Sequence, residues 1–318
     1  MPTVSVLIPA PRADFLEACI ASVITQTYDD FELCVGDDIG DGSGGDAVAA
    51  IVSKWDDPRI RYSPTPAGFD VAAERARLLR LAAGRYVKIL SGDDILFPDA
   101  LAKLVEAAGT TGAALVFSNH CFFDPAGQLT GVAEVVAKDR IEPVSDSLIY
   151  RHLIGKMTNF VGPLSNVLFD LEALRRLDGA FAIDGLALRF HEAVAAYANC
   201  AYAGYRIAGT GYVGTAIRRH SAELHLDASK PYFSTSWFEW ELLLRWTMQQ
   251  HQLTQPDYIE AMQKLFAAYQ GPAAGFPEMR LFLMLRGSPG PDGFLGEAFR
   301  EVMRLAYFSI DLRRASAP

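Results

Sequence analysis

Two pairs of adjacent carboxylates, Asp37-Asp38 and Asp93-Asp94, are the residues of this chain best placed to do chemistry. Each follows a short β-prone run that stops abruptly, Phe31 to Gly36 before the first pair and Arg85 to Leu90 before the second. Vicinal negative charges repel one another, so something cationic should offset them. Oxygen ligands of this kind suit Mg2+ or Mn2+, which bridge one or two protein carboxylates to a substrate's phosphates. Aspartate is also a common helix cap. That plainer use fits Asp93-Asp94, because a helical pattern runs from Ala100 to Ala108 just beyond Pro98. Two acid-tipped strands in one sheet are more specific than either alone, since open α/β sheets bind ligands beyond the carboxyl ends of their strands.

The elements that must position these acids are legible as patterns. Val4-Ser5-Val6-Leu7-Ile8 is nearly all apolar and ends at Pro9-Ala10-Pro11, which suits a strand covered on both faces. Asp14 is a fair N-cap for a helix carrying Phe15, Leu16, Cys19, Ile20, Val23 and Ile24 at helical spacing. Further helices are expected at Ala47 to Trp55 and Val71 to Ala83, with a strand at Ile60-Arg61-Tyr62. Strand and helix in alternation predict a mostly parallel sheet with helices on both faces. Leu115 to Ser118 reads as another strand, and Leu168 to Leu177 and Leu186 to Ala203 as helices. From about residue 230 the chain turns strongly apolar and helical, through Trp237 to Trp246, Tyr258 to Tyr269 and Phe294 to Leu312. The expected organisation is one α/β domain over 1–228 and a helical extension over 229–318.

The totals narrow the class. With 318 residues, half of them apolar, the chain can bury a large core. A net charge of −9 speaks against a nucleic-acid partner, which wants a basic face. It leaves room for a small anionic substrate, because a metal ion can carry the positive charge. The four cysteines are widely spaced, without a C-x-x-C pair, and read as buried thiols of a reducing compartment. No signal peptide and no run of about 18 apolar residues is evident, so a cytoplasmic protein is expected. The apolar tail is a surface for self-association or for peripheral contact with the inner face of a membrane. There is no G-x-G-x-x-G after the first strand, no P-loop lysine after Gly40 to Gly45, and no G-x-S-x-G elbow.

The first hundred residues resemble family 2 glycosyltransferases of the GT-A fold. Val4 to Pro9 is similar to that family's opening strand, and Phe15 to Leu33 follows its "SVLxQTYxDFEL" stretch closely. Asp37-Asp38 falls on its nucleotide-binding acids, Arg75 on the arginine of its "ARN" element, Gly84 to Val87 on its "GEYI", and Ser91 to Asp94 on its D-x-D site. The match spans about residues 3 to 108. Weaker likenesses follow at Asn159 to Ser165 and at Ile217 to His220.

The resemblance implies a GT-A fold, a Rossmann-like α/β/α arrangement around a mostly parallel sheet. It implies a nucleoside-diphosphate sugar donor, UDP-type, and a saccharide or other hydroxyl acceptor. Asp38 then hydrogen-bonds the base near Pro9 and Ala10, and Asp93 faces the ribose. Asp94 ligates Mn2+ or Mg2+, with His220 as a further ligand and Arg218 and Arg219 beside the diphosphate. Gly162 and Pro163 fall on the acceptor side. Reaction with inversion needs a carboxylate base, usually about a dozen residues before a "GYRI"-like strand. Gly204 to Ile207 is that landmark, so Glu192 is the expected base and Asp184 the reserve. Ser91 stands where the metal motif usually has its first Asp, Ala76 replaces the Asn of "ARN", and the loop after the first strand is one residue short. These departures keep two rivals in view, a sugar-phosphate nucleotidyltransferase and a catalytically degenerate binding protein.

Overall fold

Six buried residues in a row, Val4–Pro9, make strand β1, and helix α1 (Leu16–Ile24) follows. Then come β2 (Phe31–Gly36), α2 (Gly45–Val52), β3 (Ile60–Ser63), α3 (Val71–Leu81) and β4 (Tyr86–Ile89). The computed structural model describes residues 2–9, 13–37, 45–64, 70–219, 233–270, 277–285 and 294–315. The chain continues with β5 (Ile95–Leu96), α4 (Ala100–Thr111), β6 (Leu115–Phe123), β7 (Leu129–Ala133) and β8 (Ile141–Val144). After a π-helical turn at Leu148–Ile154 come β9 (Val167–Asp170), α5 (Leu171–Arg176), and the hairpin of β10 (Ala182–Ile183) and β11 (Leu186–Ala187). Helix α6 (Glu192–Tyr202) and the long strand β12 (Ile207–Arg218) precede four helices. These are α7 (Phe233–Gln249), α8 (Gln255–Gln270), α9 (Pro277–Leu285) and α10 (Glu297–Ala315).

The chain folds as two units that interleave in sequence. The first comprises Met1–Val144, Phe160–Asp178 and Ala203–His220, and the second Ser145–Asn159, Gly179–Tyr202 and Ser221–Pro318. The boundary expected at 228 lies outside the described residues. Segments 145–159 and 179–202, expected within the α/β domain, fold with the C-terminal helices.

In the first unit the sheet runs β3-β2-β1-β4-β9-β6-β12-β5, with β7 on β6 and β8 on β12. Strands β3, β2, β1 and β4 are mutually parallel, and β9 runs antiparallel between β4 and β6. Leu16, Cys19, Ile20 and Val23 bury one stripe of α1, as their spacing predicts, against a core that includes Val4, Val6, Ile8, Leu33 and Val35. Burying each such side chain contributes about 1.5–3 kcal/mol. Asp14 does not cap α1. Phe15 holds the N-cap position at φ 65°, a left-handed conformation uncommon for a bulky residue.

Two expected helices are corrected. Residues 168–170 belong to β9, because Val167 to Phe169 fill the gap between β4 and β6, and the helix begins only after Asp170, whose side chain accepts from Ala173 N–H at 2.9 Å. The stretch from Leu186 begins in a hairpin, and helix starts at Glu192.

The second unit buries polar groups in pairs. On α7, Arg245 meets Glu241 at 2.8 and 3.0 Å, and the Tyr269 hydroxyl donates to the same carboxylate at 2.8 Å. The Arg245 guanidinium also lies 4.0 Å from the centre of the Phe299 ring. Among the described residues no helix is long and apolar enough to cross a membrane.

Candidate functional site

The site is set by strand order. The chain runs from β1 outward to β2 and β3, then returns to place β4 on the other side of β1. That reversal is a topological switch point, where the loops diverge and leave a crevice. Parallel register aligns the carboxyl ends, with Pro9 opposite Gly36 and Leu7 opposite Ile89. The N–H of Leu90 donates to Leu7 O at 2.9 Å, so the chain stays paired until Ser91. Asp37, next after β2, and Asp93-Asp94, just after β4, therefore leave the sheet at the same edge. They are two strand spacings apart, roughly 10 Å.

Asp94 is 4% exposed. Burial, and then the neighbouring Asp93 charge, push its pKa up to about 7. The Ser165 hydroxyl and the Arg218 N–H, at 2.9 Å, act the other way by hydrogen-bonding the ionised carboxylate, and the Lys88 charge assists them. Ser165 sits here because it lies just before β9, whose antiparallel pairing with β4 puts the start of one beside the end of the other. Its hydroxyl accepts from Ser91 N–H at 3.0 Å. Its carbonyl accepts from Lys88 Nζ at 2.6 Å and from the Thr215 hydroxyl at 3.1 Å. Lys88 is fully buried, and that burial brings its pKa down to about 7.

Arg218 arrives on β12. The antiparallel pairs Thr215–Leu96 and Ala216–Ile95 carry the strand past the acids. The Arg218 Nε–H donates to Asp93 O at 3.2 Å, and the guanidinium lies between two rings, 3.7 Å from the centre of Phe15 and 4.3 Å from that of Phe123. The strained backbone of Phe15 thus occurs where its ring meets a site cation, and strain of this sort concentrates at functional sites.

Of the other residues expected at the site, Pro9 is buried at the end of β1, and Arg75 is 4% exposed on α3. Ala10, Asp38 and His220 lie outside the described residues. Asp37 accepts a hydrogen bond from the Tyr62 hydroxyl, so its carboxylate serves the β2–β3 edge. Gly162 has φ 95°, and a Cβ there would stand 2.9 Å from His120 Cε1, so it makes room for that ring. Pro163 precedes the 3-10 turn of residues 164–166 that carries Ser165.

Glu192 and Asp184 belong to the second unit. Glu192 opens α6. Asp184 turns the β10–β11 hairpin at φ 52° and forms an ion pair with Arg300. The loop before Glu192 is held by Glu239 of α7. Its carboxylate accepts the N–H groups of Arg189, Phe190 and His191 at 2.7, 2.9 and 2.8 Å, and the Tyr307 hydroxyl at 2.9 Å.

Sequence reading missed Lys88, Ser165 and Glu239. Lys88 had a signal, a charged residue inside an otherwise apolar strand. Ser165 and Glu239 had none, because their roles depend on strands and helices far along the chain.

Fold and site define an α/β protein with an acidic crevice at the switch point of a mixed, largely parallel sheet. Residues 5–167 match the glycosyl transferase family 2 model, and the chain belongs to that family. Chondroitin synthase of Pasteurella multocida (strain Pm70) is 32% identical over 132 residues, 41% of this chain and 13% of that protein. The Escherichia coli enzyme named UDP-Glc:alpha-D-GlcNAc-diphosphoundecaprenol beta-1,3-glucosyltransferase WfgD is 28% identical over 118 residues, 37% of this chain and 45% of that one. The matches thus span less than half the length of these relatives. The crystal structure of S. aureus TarS 1-349 in complex with UDP-GlcNAc superposes with a TM-score of 0.55 at 14% identity, covering 99% of this chain and 92% of that one. The likeness shows the fold, a GT-A arrangement with C-terminal helices.

Proposed function

We propose that this protein is a metal-dependent, inverting glycosyltransferase that moves a sugar from a UDP-type nucleoside-diphosphate sugar to a hydroxyl of a saccharide, in surface glycan or polysaccharide synthesis. The observation that carries this reading is the parallel register that brings Pro9, Asp37 and Asp94 to one edge of the sheet at its switch point. Membership of glycosyl transferase family 2 supports it. The names of WfgD and of the TarS complex, which specify UDP-Glc and UDP-GlcNAc, support the UDP donor.

The donor set fits a hard divalent cation. Asp94, buried beside Asp93, offers carboxylate oxygens, and the neighbouring Asp93 charge adds to the negative potential that a cation would offset. Among the described residues no group of three or more metal-binding side chains occurs. A divalent ion would therefore take its remaining ligands from phosphate and water, as Mg2+ does, with His220 the proposed further protein ligand. When bound, the ion neutralises charge on the departing diphosphate.

The chain's own residues would do the rest. Asp38 binds the base beside Pro9 and Ala10, Asp93 the ribose, and Arg218, pinned between Phe15 and Phe123, lends positive charge at the mouth of the crevice. Arg75 supports the donor side from α3. Glu192 is the proposed base that takes the acceptor hydroxyl's proton. Asp184, which pairs with Arg300, is the reserve. Phe308, 60% exposed on α10, and Met284, 80% exposed on α9, make the C-terminal helices the proposed surface for self-association.

The decisive experiment is a thermal-shift panel of nucleotide sugars with and without Mn2+, since a ligand that binds only the native state raises the melting temperature. A Mn2+-dependent rise with UDP sugars is expected. No rise with any member of the panel would sink the proposal.

A further inference from the structure

The second unit holds a cavity of about 450 Å³ that the donor chemistry leaves unused. Its lining includes Lys156, Asn159, His191, Trp237, Trp240 and Lys264. The volume falls in the range of about 300–1,000 Å³ typical of small-molecule pockets, which pair aromatic walls with a few placed polar groups.

The aromatic wall is organised. His191 stacks on Trp240 with ring centres 4.2 Å apart, and His191 Nε2 lies 3.1 Å from the Ser236 hydroxyl. The His191 N–H is fixed by Glu239 at 2.8 Å. Indole faces of this kind pack against the C–H faces of pyranose rings, while amide, imidazole and hydroxyl groups hydrogen-bond the sugar's edges.

The charge is equally specific. Lys156 and Lys264 are the formally charged residues among the described lining. Both reach one carboxylate, Glu260, at 2.8 and 3.0 Å. Lys156 also acts on Asp257, itself paired with Arg151 at 3.0 Å, so three cations stand against two carboxylates and leave a net positive charge beside the pocket, in a chain whose net charge is −9.

We propose that this pocket binds a saccharide bearing an acidic group, packed against the partly exposed Trp237 with its anion toward Lys156 and Lys264. The saccharide is a ligand of the second unit itself, beyond the donor binding assigned above to the first.

Calorimetry on the full chain tests it without turnover. The probes are a glucuronate-terminated trisaccharide, its carboxyl-reduced counterpart, and a hexose 6-phosphate. Saturable binding of at least one acidic probe is expected, tenfold or more tighter than the neutral trisaccharide. The trisaccharide or the hexose phosphate binding alone identifies carboxylate or phosphate as the anion. In the K156Q/K264Q double variant, whose substituted side chains are solvent-exposed, the preference for the acidic probe should fall below threefold. W237F keeps a ring in place and should weaken all sugar binding. Equal affinity for charged and neutral probes, no saturable binding, or a preference untouched by K156Q/K264Q would overturn the proposal. Mn2+-dependent UDP binding, measured on the same samples, separates the two readings: its persistence beside a failed pocket leaves the donor assignment intact.

Discussion

The backbone N–H of Arg218 donates to Oδ1 of Asp94 at 2.9 Å across 124 residues of chain. One strand, β12, therefore ends beside the acids that follow β4, and it delivers a cation to them in the same step. A backbone donor cannot be lost by side-chain substitution at 218, so Asp94 keeps its orientation as long as β12 stays paired with β5.

Asp94→Ala should lower transfer by roughly 100- to 1,000-fold, the scale seen when one preorganised electrostatic group is removed from a site. UDP-sugar affinity should lose its dependence on Mn2+, while circular dichroism stays as in the parent. Full activity in a folded, metal-supplied variant would remove Asp94 from the mechanism.

Glu192→Gln should reduce the rate of transfer by roughly 100- to 10,000-fold, as loss of a general base does. Donor affinity should be unchanged, because the proposed role of Glu192 is toward the acceptor's proton and glutamine keeps its side-chain volume. Calorimetry with UDP and initial rates with the acceptor separate these two effects. An equal fall in donor binding would assign Glu192 a different role.

His120 sets an acid limit on stability. Burial holds its imidazole down, from 6.5 to about 4. The Asn166 amide, 3.2 Å from Nδ1, is placed to donate to the neutral ring. Between those two values the unfolded chain binds a proton that the folded chain refuses. The stabilisation that His120 contributes is therefore full above pH 6.5 and is lost as the pH drops toward 4, roughly 3 kcal/mol in all, while buried Asp94 and Glu239, whose pKa values are raised to about 7, act the opposite way over the same range. Urea melts from pH 7 to 4 should show His120→Asn gaining stability relative to the parent as the pH falls, the difference between the two slopes being the His120 contribution. Identical slopes would exclude His120 as the source.

Glu239→Gln tests the clamp before Glu192. The carboxylate accepts from three consecutive backbone N–H groups and a tyrosine hydroxyl. An amide turns one acceptor into a donor, so at least one buried N–H loses its partner, at a cost of roughly 1–3 kcal/mol. The denaturation midpoint should fall accordingly, and transfer should fall more than donor binding. An unchanged midpoint would show that the loop is held by other contacts.

Much of the first unit could be read from local pattern. The apolar run of β1, the stripe of α1 and the acid-tipped ends of β2 and β4 are short-range features, and each formed where expected. Strand β12 was hidden because three glycines interrupt it. The structure explains all three: a Cβ on Gly209 would stand 2.7 Å from the Phe117 ring, one on Gly211 1.9 Å from Ala137 O, and one on Gly214 2.5 Å from Ser118 Oγ. Residues 168–170 looked helical because Leu168, Leu171 and Leu174 share helical spacing. Their strand state is imposed by the neighbours they bridge, and local preference yields to such pairing.

The sequence by itself determined that acids would stand at strand ends in a mostly parallel sheet, because alternation of strand and helix and abrupt apolar runs are written locally. Tertiary structure alone decided that Ser165 and Arg218 would converge on Asp94, and that Lys88 would meet Ser165. It also decided that Glu239 would hold the loop before Glu192. These partners meet through strand order and helix packing between residues about 50 to 125 positions apart, a separation over which sequence spacing carries no geometric information.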